Sequence, residues 1–165
     1  MLLALLVAAQ VGRQVLLVVV AEHGDHAGPG ALFVGDFQRT GDVGIMDEEG
    51  FIFIVDRIKD LIICSGYNVY PRRIEDAIYE LPAVEEVTVI GIKDQYRGEA
   101  PKAFIKLKAG MTATETDIRK HLEVKLSKIE MPAQIEFRDA LPKTMIGKLS
   151  KKELKAEEET RRKAG

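Results

Sequence analysis

Residues 56–71 read DRIKDLIICSGYNVYP, and the order of residue types in this stretch indicates where strands and helices begin and end. The charged residues 56–60 interrupt an otherwise apolar region. Residues 61–64 are an apolar, β-branched run of the kind that forms a short strand. Ser65-Gly66 breaks this strand, and Pro71 opens a helix because proline fits the first helical position, where no backbone N–H is needed.

The predicted elements on either side follow the same periodicity rules. Residues 47–50 are typical of a turn and residues 51–55 of an apolar strand, whereas Ile74, Ile78 and Leu81 lie on one face of a helix. The other predicted elements are strands over residues 84–92, 103–107 and 135–137, a helix over residues 114–127 with its cap at residues 114–117, and a helix from Lys151 capped by Ser150. Because strands and helices come in runs rather than as a strict βαβ repeat, we predict an α+β fold.

The composition is that of a globular protein without a strong excess of either charge. The 165 residues are 46% hydrophobic and 30% charged, which suits one domain or one domain with an appendage. The net charge of −2 argues against nucleic acid as the main partner, because phosphate binding needs clustered basic residues. The single cysteine, Cys64, cannot form an internal disulfide, so we expect a cytoplasmic location.

The first 30 residues differ from the rest, since their only charged residues are Arg13, Glu22 and Asp25. Residues 1–20 are apolar but are interrupted at their middle, which is unfavourable for a membrane span of about 20 apolar residues. The alternatives are a buried strand–helix piece, a signal or anchor that associates with a membrane, and a mis-assigned start or truncated upstream domain. Residues 22–30 have the composition of a linker. We expect no metal site in the chain.

Four positions could carry chemistry. Asp42 follows Thr-Gly in a turn, where its carboxylate could accept hydrogen bonds from the vicinal hydroxyls of a ribose. The guanidinium of Arg57 could bind sugar or phosphate oxygens, and Gly66 before Tyr67 would let the backbone approach a narrow ligand. Lys148 could reach a phosphate or a carboxylate. Taken singly, the four also fit a common turn, a surface salt bridge, a strand break and a solvated lysine.

The order and spacing of these segments are more informative than any one of them. Residues 31–157 resemble the end of the acyl-CoA synthetases, which belong to the adenylate-forming superfamily. The matching segments are FQRTGDVG (37–44), GFI (50–52), DRIKDLI (56–62), SGYNVYP (65–71), IE (74–75), GE (98–99), LPKT (141–144) and GK (147–148).

The resemblance implies a two-step ligase reaction with a small-molecule carboxylic acid, ATP and coenzyme A as partners. The acid first reacts with ATP, which binds with Mg²⁺ on a large N-terminal adenylation domain, and gives an acyl-adenylate and pyrophosphate. Coenzyme A then displaces AMP and forms the thioester. Within the superfamily, the motifs favour a CoA ligase for a fatty or other organic acid.

The resemblance also implies a role for each candidate residue. Asp42 would hold the ribose hydroxyls, and Arg57 would also contact the nucleotide. Lys59 would lie at the hinge about which the C-terminal domain rotates between the two half-reactions. The loop of Gly66 and Tyr67 would line the pantetheine tunnel. Lys148 would bridge the carboxylate and the α-phosphate during adenylation. Rotation of the C-terminal domain would bring Lys148 to the active site for the first step and the Gly66 loop for the second.

Lys148 carries a second implication of the resemblance. The pattern Pro142-x4-Gly147-Lys148 resembles a site of regulatory acetylation in related CoA synthetases. A lysine acetyltransferase is therefore a further implied partner. Acetylation would remove the charge that adenylation uses.

The implied domain organisation has five parts, and the implied fold of the C-terminal domain is a β-hairpin plus a mixed sheet of about three strands flanked by helices. The parts are an atypical N-terminal segment and linker (1–30), the end of a large-domain-like region with the Thr-Gly-Asp turn (31–55), a hinge (56–60), the rotating C-terminal domain (61–157) and a charged tail (158–165).

The sequence departs from the family pattern in three ways. Arg73 stands where the family often has the first Glu of Pro-x-Glu-Ile-Glu, and residues 129–132 read IEMP where it often has Tyr-Lys-x-Pro. The family's Ser/Thr/Gly-rich phosphate loop, together with the acyl pocket of the large domain, is absent from this sequence. We therefore expect the chain alone to form no acyl-adenylate. The alternative is a non-catalytic nucleotide-binding, CoA-binding or interaction module that retains the fold.

Overall fold

The computed structural model describes residues 9–11, 14–22, 33–34, 37–46, 49 and 51–164. The chain divides into two compact units, Met1–Lys59 and Asp60–Gly165. Residues 23–30 of the predicted linker lie outside the described residues. No described helix combines the length and the apolar character that a membrane-spanning helix requires.

The first unit contains an antiparallel sheet of five described strands. The strands are β1 (Ala9–Val11), β2 (Gln14–Glu22), β3 (Phe33–Val34), β4 (Phe37–Met46) and β5 (Ile52–Arg57). Their order is β1-β2-β4-β3, and β5 also pairs with β4. Because β2 pairs directly with β4, strands on both sides of the expected division at residue 30 belong to one sheet.

The segment between the units is shorter than the sequence indicates. Asp56 and Arg57, which we expected in a charged interruption, still belong to β5. Only Ile58–Asp60 leave the strand, as a single turn of 3₁₀ helix. The division between the compact units falls within this turn, after Lys59.

The second unit has the α+β fold that the sequence predicts. Its elements are β6 (Ile62–Cys64), β7 (Tyr67–Val69), α1 (Pro71–Tyr79), β8 (Val84–Asp94), β9 (Gly98–Leu107), α2 (Glu115–Glu123), β10 (Gln134–Phe137) and α3 (Lys151–Ala164). Strands β6 and β7 form the hairpin, and β8, β9 and β10 form the mixed sheet, with β10 parallel to β9. The Cys64–Gly98 pairing joins the hairpin to β9.

The mixed sheet is covered by helices on both faces, as the alternation of side chains along β8 and β9 requires. Val87, Val89 and Ile105 point to the face covered by α1 and α2, and they belong to the larger core cluster. Ile90 and Phe104 point to the opposite face and pack against Leu154 of α3. These strands therefore carry apolar residues on both faces, which explains the uninterrupted apolar run of residues 103–105.

The outer edge of β8 is closed by side chains from α1. The backbone N–H of Val89 donates to Glu75 Oε1 (2.8 Å), and the backbone N–H of Val87 donates to Tyr79 Oη (3.3 Å). An open strand edge leaves backbone donors available for unwanted pairing. Here two donors of the edge are satisfied within the unit.

Helix α2 begins where the sequence predicts and ends earlier. Thr114 Oγ1 accepts from the Asp117 N–H (3.2 Å), and Asp117 Oδ2 accepts from the Thr114 N–H (2.9 Å), so the two residues form a capping box. The predicted helix extends to Ser127, but α2 ends at Glu123 and the chain turns at Val124, whose side chain is exposed. Leu126 still packs in the core, which is why its helical spacing was misleading.

Helix α3 is held to the sheet by a network of charges around a buried lysine. Lys102 of β9 is only 5% exposed, and its Nζ lies 2.9 Å from both Glu136 Oε2 and Glu158 Oε1. Arg138 Nη1 pairs with Glu157 of α3 (2.8 Å). Residues 158–164, expected to form a charged tail, therefore continue α3 and contribute Glu158 to this network.

The pKa of Glu136 is lowered to about 2 in this network. Burial alone would raise this pKa, but hydrogen bonds from Lys102, Arg161 and Arg138 stabilise the carboxylate and outweigh the burial. A folded-state pKa below the ordinary value of 4.5 means that Glu136 contributes stability above that value. The contribution is lost as the pH falls towards about 2.

We expect Glu136→Gln to lower the melting temperature at pH 7 and to flatten its dependence on pH between about 4.5 and 2. The reason is that glutamine keeps the size of the side chain but cannot supply the charge that the three cations stabilise. Thermal unfolding followed by circular dichroism at several pH values measures both effects. Glu159→Gln, at an exposed ion pair on α3, is the matched control and should change neither. Equal acid sensitivity of the Glu136→Gln variant and the parent chain would contradict this assignment.

Two departures from the family pattern form one contact in the structure. Arg73 Nε lies 3.1 Å from Glu130 Oε1, and Glu130 Oε2 accepts hydrogen bonds from the backbone and hydroxyl of Ser127. The family pattern has Glu at the first position and Lys at the second. Both positions therefore carry the charge opposite to that of the pattern, and their contact ties α1 to the turn that precedes β10.

We expect Arg73→Glu to destabilise the chain by about 1 kcal/mol, because it places a second carboxylate beside the largely buried Glu130. Adding Glu130→Lys should recover part of this loss, with a coupling free energy of about 0.5–1 kcal/mol in a double-mutant cycle. Urea unfolding of the four chains measures the coupling. Arg72→Glu, one residue away and paired instead with Asp76, should show no coupling to Glu130→Lys. Coupling of the same size in both cycles would show that the pair has no specific role.

Candidate functional site

The candidate nucleotide residues of the first unit are neighbours. The register of β4 and β5 places Asp42 directly opposite Arg57, and Arg57 Nε lies 3.3 Å from Asp42 Oδ1. The Asp42 carboxylate is partly covered, whereas the Arg57 side chain is mostly exposed. Taken alone, Arg57 was expected to form a surface salt bridge, and in the structure it forms one with Asp42.

The same segment explains how the pair is oriented. Gly41 has a positive φ of 75°, a conformation that glycine adopts without strain, and it directly precedes Asp42. The backbone N–H of Arg57 donates to Asp56 Oδ1 (2.8 Å), and Asp56 is buried. A carboxylate and a guanidinium are thus presented side by side, which gives acceptors for ribose hydroxyls and donors for phosphate oxygens.

Gly66 lies in a tight turn that the sequence described only as a strand break. Ser65 and Gly66 both have positive φ, 52° and 81°, and they connect the paired residues Cys64 and Tyr67. These are the features of a two-residue type I′ hairpin, whose twist matches that of the strands. The Tyr67 side chain is 62% exposed at the start of β7. The residue pattern did not indicate β7 by itself, although the family resemblance implies the β-hairpin that β7 forms with β6.

The Ser65-Gly66 turn is fixed to the junction of β8 and β9. The Ser65 N–H donates to the Arg97 carbonyl (2.8 Å), and the Ile63 N–H donates to Glu99 Oε2 (3.0 Å). Glu99 belongs to the Gly98-Glu99 segment, for which the sequence suggested no role. The strand predicted over residues 103–107 begins at Gly98 in the structure, so no feature of the sequence marked Glu99 as a strand residue with a backbone partner.

Lys148 lies on a second hairpin-like loop. Lys143 and Leu149 form an antiparallel bridge, and the loop between them is closed by hydrogen bonds from the Thr144 N–H to the Lys148 carbonyl (2.7 Å) and from the Gly147 N–H to the Thr144 carbonyl (2.8 Å). Gly147 has a positive φ of 79°. The Lys148 side chain is exposed, and within the described residues it forms no ion pair.

The two loops of the second unit attach at different places along the β8–β9 hairpin. The Gly66 turn is bonded at Arg97, beside the paired residues Asp94 and Gly98. The Lys148 loop is held at Glu86, near the start of β8, by its ion pair with Lys143. Glu86 and Asp94 are eight residues apart on an extended strand, a separation of about 26 Å at about 3.3 Å per residue. The structure therefore does not bring Gly66 and Lys148 together.

The remaining predicted position, Lys59, lies in the short 3₁₀ turn at the end of the first unit. In the described part of the chain, no three His, Cys, Asp or Glu side chains are grouped as a metal site would require. The chemistry of the described candidates is thus that of a carboxylate–guanidinium pair, a glycine turn and an exposed lysine.

Comparisons with known proteins identify the family to which the C-terminal part of the chain is similar. Residues 73–148 match the family model of the AMP-binding enzyme C-terminal domain. A long-chain-fatty-acid–CoA ligase of Bacillus subtilis is 48% identical over 119 residues, which are 72% of this chain and 21% of that protein. A 2-succinylbenzoate–CoA ligase of Geobacillus kaustophilus is 42% identical over 121 residues, or 73% of this chain and 25% of that protein.

Solved structures agree with the sequence comparison. The o-succinylbenzoate CoA synthetase of Bacillus subtilis, in complex with its acyl-adenylate intermediate, aligns with a TM-score of 0.72 at 34% identity, covering 76% of this chain and 25% of that one. A fatty acyl CoA synthetase of Mycobacterium tuberculosis aligns with a TM-score of 0.63 at 36% identity and with the same coverage. This chain spans about a fifth to a quarter of the length of these relatives. The chain belongs to the adenylate-forming acyl-CoA synthetases, whose C-terminal domain it contains.

Proposed function

We propose that this chain supplies the C-terminal part of an ATP-dependent acyl-CoA ligase. The acid's carboxylate oxygen attacks the α-phosphorus of ATP, pyrophosphate leaves, and the thiol of coenzyme A then attacks the acyl carbon and releases AMP. A fatty or other organic acid is the proposed substrate, because the relatives include a long-chain-fatty-acid–CoA ligase and a 2-succinylbenzoate–CoA ligase. The adenylation domain, with its bound ATP and Mg²⁺, completes the site.

The observation that carries this proposal is the separation of the two loops on one small unit. A lysine that assists adenylation and a glycine turn that admits the thiol must each reach the same adenylate. The Lys148 loop is attached at Glu86 and, by way of Glu75, at Val89. These residues lie eight and five positions along β8 from Asp94, or about 26 Å and about 17 Å at about 3.3 Å per residue, so we infer that a single orientation does not present both loops. A rotation about the short turn that contains Lys59 would exchange them, which is the domain alternation that such a reaction requires.

Each candidate residue has a physical task in this scheme. Asp42 accepts hydrogen bonds from the ribose hydroxyls, and Arg57 donates hydrogen bonds to the nucleotide. The contact between Asp42 and Arg57 keeps the two side chains side by side. In the first step, the ammonium of Lys148 offsets the negative charge that develops between the carboxylate and the α-phosphate. In the second step, Gly66 leaves room for the pantetheine arm and Tyr67 forms part of its wall.

Exposure of Lys148 also supports regulation by a lysine acetyltransferase. An acetyl group would remove the positive charge and leave no ammonium for the first step. We propose that acetylated chain would support the second half-reaction but not the first.

The test of Lys148 uses a chimera in which this chain's C-terminal domain replaces that of the Bacillus subtilis long-chain ligase, its 48% identical relative. Lys148→Ala should slow ATP–pyrophosphate exchange by about 100-fold or more, the usual cost of losing one electrostatic contact to a transition state. Thioester formation from supplied acyl-adenylate should change little. Lys152→Ala, an exposed lysine on α3, is the matched control. Full ATP–pyrophosphate exchange activity in Lys148→Ala would reject the assigned role. A parent chimera that binds nucleotide or CoA but catalyses neither step would favour the alternative of a binding module.

The complementary test is Gly66→Ala in the same chimera. Alanine strains a turn with φ of 81°, at a cost of about 1–2 kcal/mol, although no atom lies within 4 Å of the added Cβ. We expect thioester formation from supplied acyl-adenylate to fall about tenfold, while pyrophosphate exchange stays near the parent rate. Gly110→Ala, also at a positive φ but far along the chain from both loops, is the control for strain alone. Equal loss in both half-reactions would contradict a role confined to the second.

A further inference from the structure

We infer that Glu75 and Glu86 are positioning residues for Lys148, because they hold the two ends of the loop that carries it. This inference rests on the proposed role of Lys148 in adenylation. Neither glutamate belongs to the loop itself: Glu75 lies on α1 and Glu86 on β8.

Each end of the loop is joined to one of these carboxylates by a lysine. Before the loop, Lys143 pairs with Glu86 Oε1, and after it Lys151 Nζ lies 2.8 Å from Glu75 Oε1. The carboxylates are well covered, with side-chain exposures of 17% for Glu86 and 16% for Glu75. Ion pairs with a covered partner are screened less by salt than pairs between fully exposed groups.

The Glu75 anchor is itself fixed to the sheet. Its Oε1 atom accepts the backbone N–H of Val89 (2.8 Å), in addition to its contact with Lys151. One carboxylate oxygen thus joins the edge of β8, helix α1 and the first residue of α3. Because the acceptor is held by the backbone of the sheet, Lys151 is directed to a defined point and not to a mobile side chain.

Apolar contacts support the same end points. Leu141 is buried, and it packs together with Leu149 against Ile90 and Phe104 on the α3 face of the sheet. The tip between the anchors is different, since Met145 and Ile146 are exposed. The base of the loop is therefore fixed while its tip projects into solvent, so the backbone from which the Lys148 side chain extends is held in place.

The anchors also leave one cation of the loop available. Residues 142–151 contain three lysines, and two of them, Lys143 and Lys151, are neutralised by their carboxylates. Within the described residues, Lys148 has no carboxylate partner. An anionic substrate would therefore encounter Lys148 as the uncompensated charge of the loop.

Glu86→Gln and Glu75→Gln test the inference in the full chain without any catalysis. Glutamine keeps an acceptor for the Val89 N–H but cannot form the ion pair. We expect the amides of Thr144 and Gly147 to exchange hydrogen about two- to fivefold faster, as expected for the loss of one partly exposed pair, and trypsin to cleave the Lys148–Leu149 bond faster by a similar factor. Amides within α1 and β9 should keep the parent rates.

Glu85→Gln is the matched control, because Glu85 is the neighbour of Glu86 on β8 and pairs with Lys106 away from the loop. The charge exchange Glu86→Lys with Lys143→Glu should return the amide exchange rates towards those of the parent chain. The inference would be overturned if the loop amides exchanged hydrogen at the parent rate in both Glu86→Gln and Glu75→Gln. It would also be overturned if Glu85→Gln increased these exchange rates by the same factor.

The chimera separates this inference from the proposed function. Glu86→Gln should slow pyrophosphate exchange about two- to fivefold with an unchanged KM for ATP, and it should leave thioester formation from acyl-adenylate at the parent rate. If Lys148→Ala retains full activity while Glu86→Gln loosens the loop, the proposed function fails and the anchoring stands. If Lys148→Ala is inactive and Glu86→Gln changes neither the loop nor the rate, the positioning role fails alone.

Discussion

The antiparallel pairing of β8 with β9 is the constraint on which the second unit depends. It runs from the Val84–Leu107 pair to the Asp94–Gly98 pair, and it supplies side chains to both core clusters. Its length also sets the distance between the two candidate loops, because one is attached at Arg97 and the other at Glu86.

Charged side chains in this unit act chiefly where regular structure leaves a group without a partner. Glu75 and Glu99 accept backbone N–H groups of Val89 and Ile63, which no strand satisfies. Lys102, buried beside Phe104, is compensated by Glu136 and Glu158 from two other elements. A buried charge is costly unless it is paired and hydrogen-bonded. These residues therefore determine which elements pack together as well as the stability of that packing.

The sequence predicted the elements that have a local cause and missed those that depend on distant contacts. The start of α1 at Pro71 and of α2 at Thr114 follow from the residues at those positions, and both starts are confirmed. The residue pattern indicated neither the strand β7 nor the early end of α2, because pairing with β6 and packing of Leu126 decide them. Asp42, Arg57, Gly66 and Lys148 could be nominated from their order along the chain. Their supporting residues could not, because Glu75 contacts Val89 and Lys151 across long sequence separations.

Two departures from the family pattern can offset each other when they meet in one contact. Arg73 and Glu130 lie 57 positions apart in the sequence, and each alone is a departure from the pattern. Their 3.1 Å contact makes them a single reversed ion pair, whose attraction does not depend on which side carries the positive charge. Such a pair can exchange its charges when both partners change together, although a lysine in place of Glu130 would lose the hydrogen bonds that Ser127 donates. Lys148 has no such freedom in the proposed reaction, because the group it meets there is an anionic substrate and not a residue that can change with it.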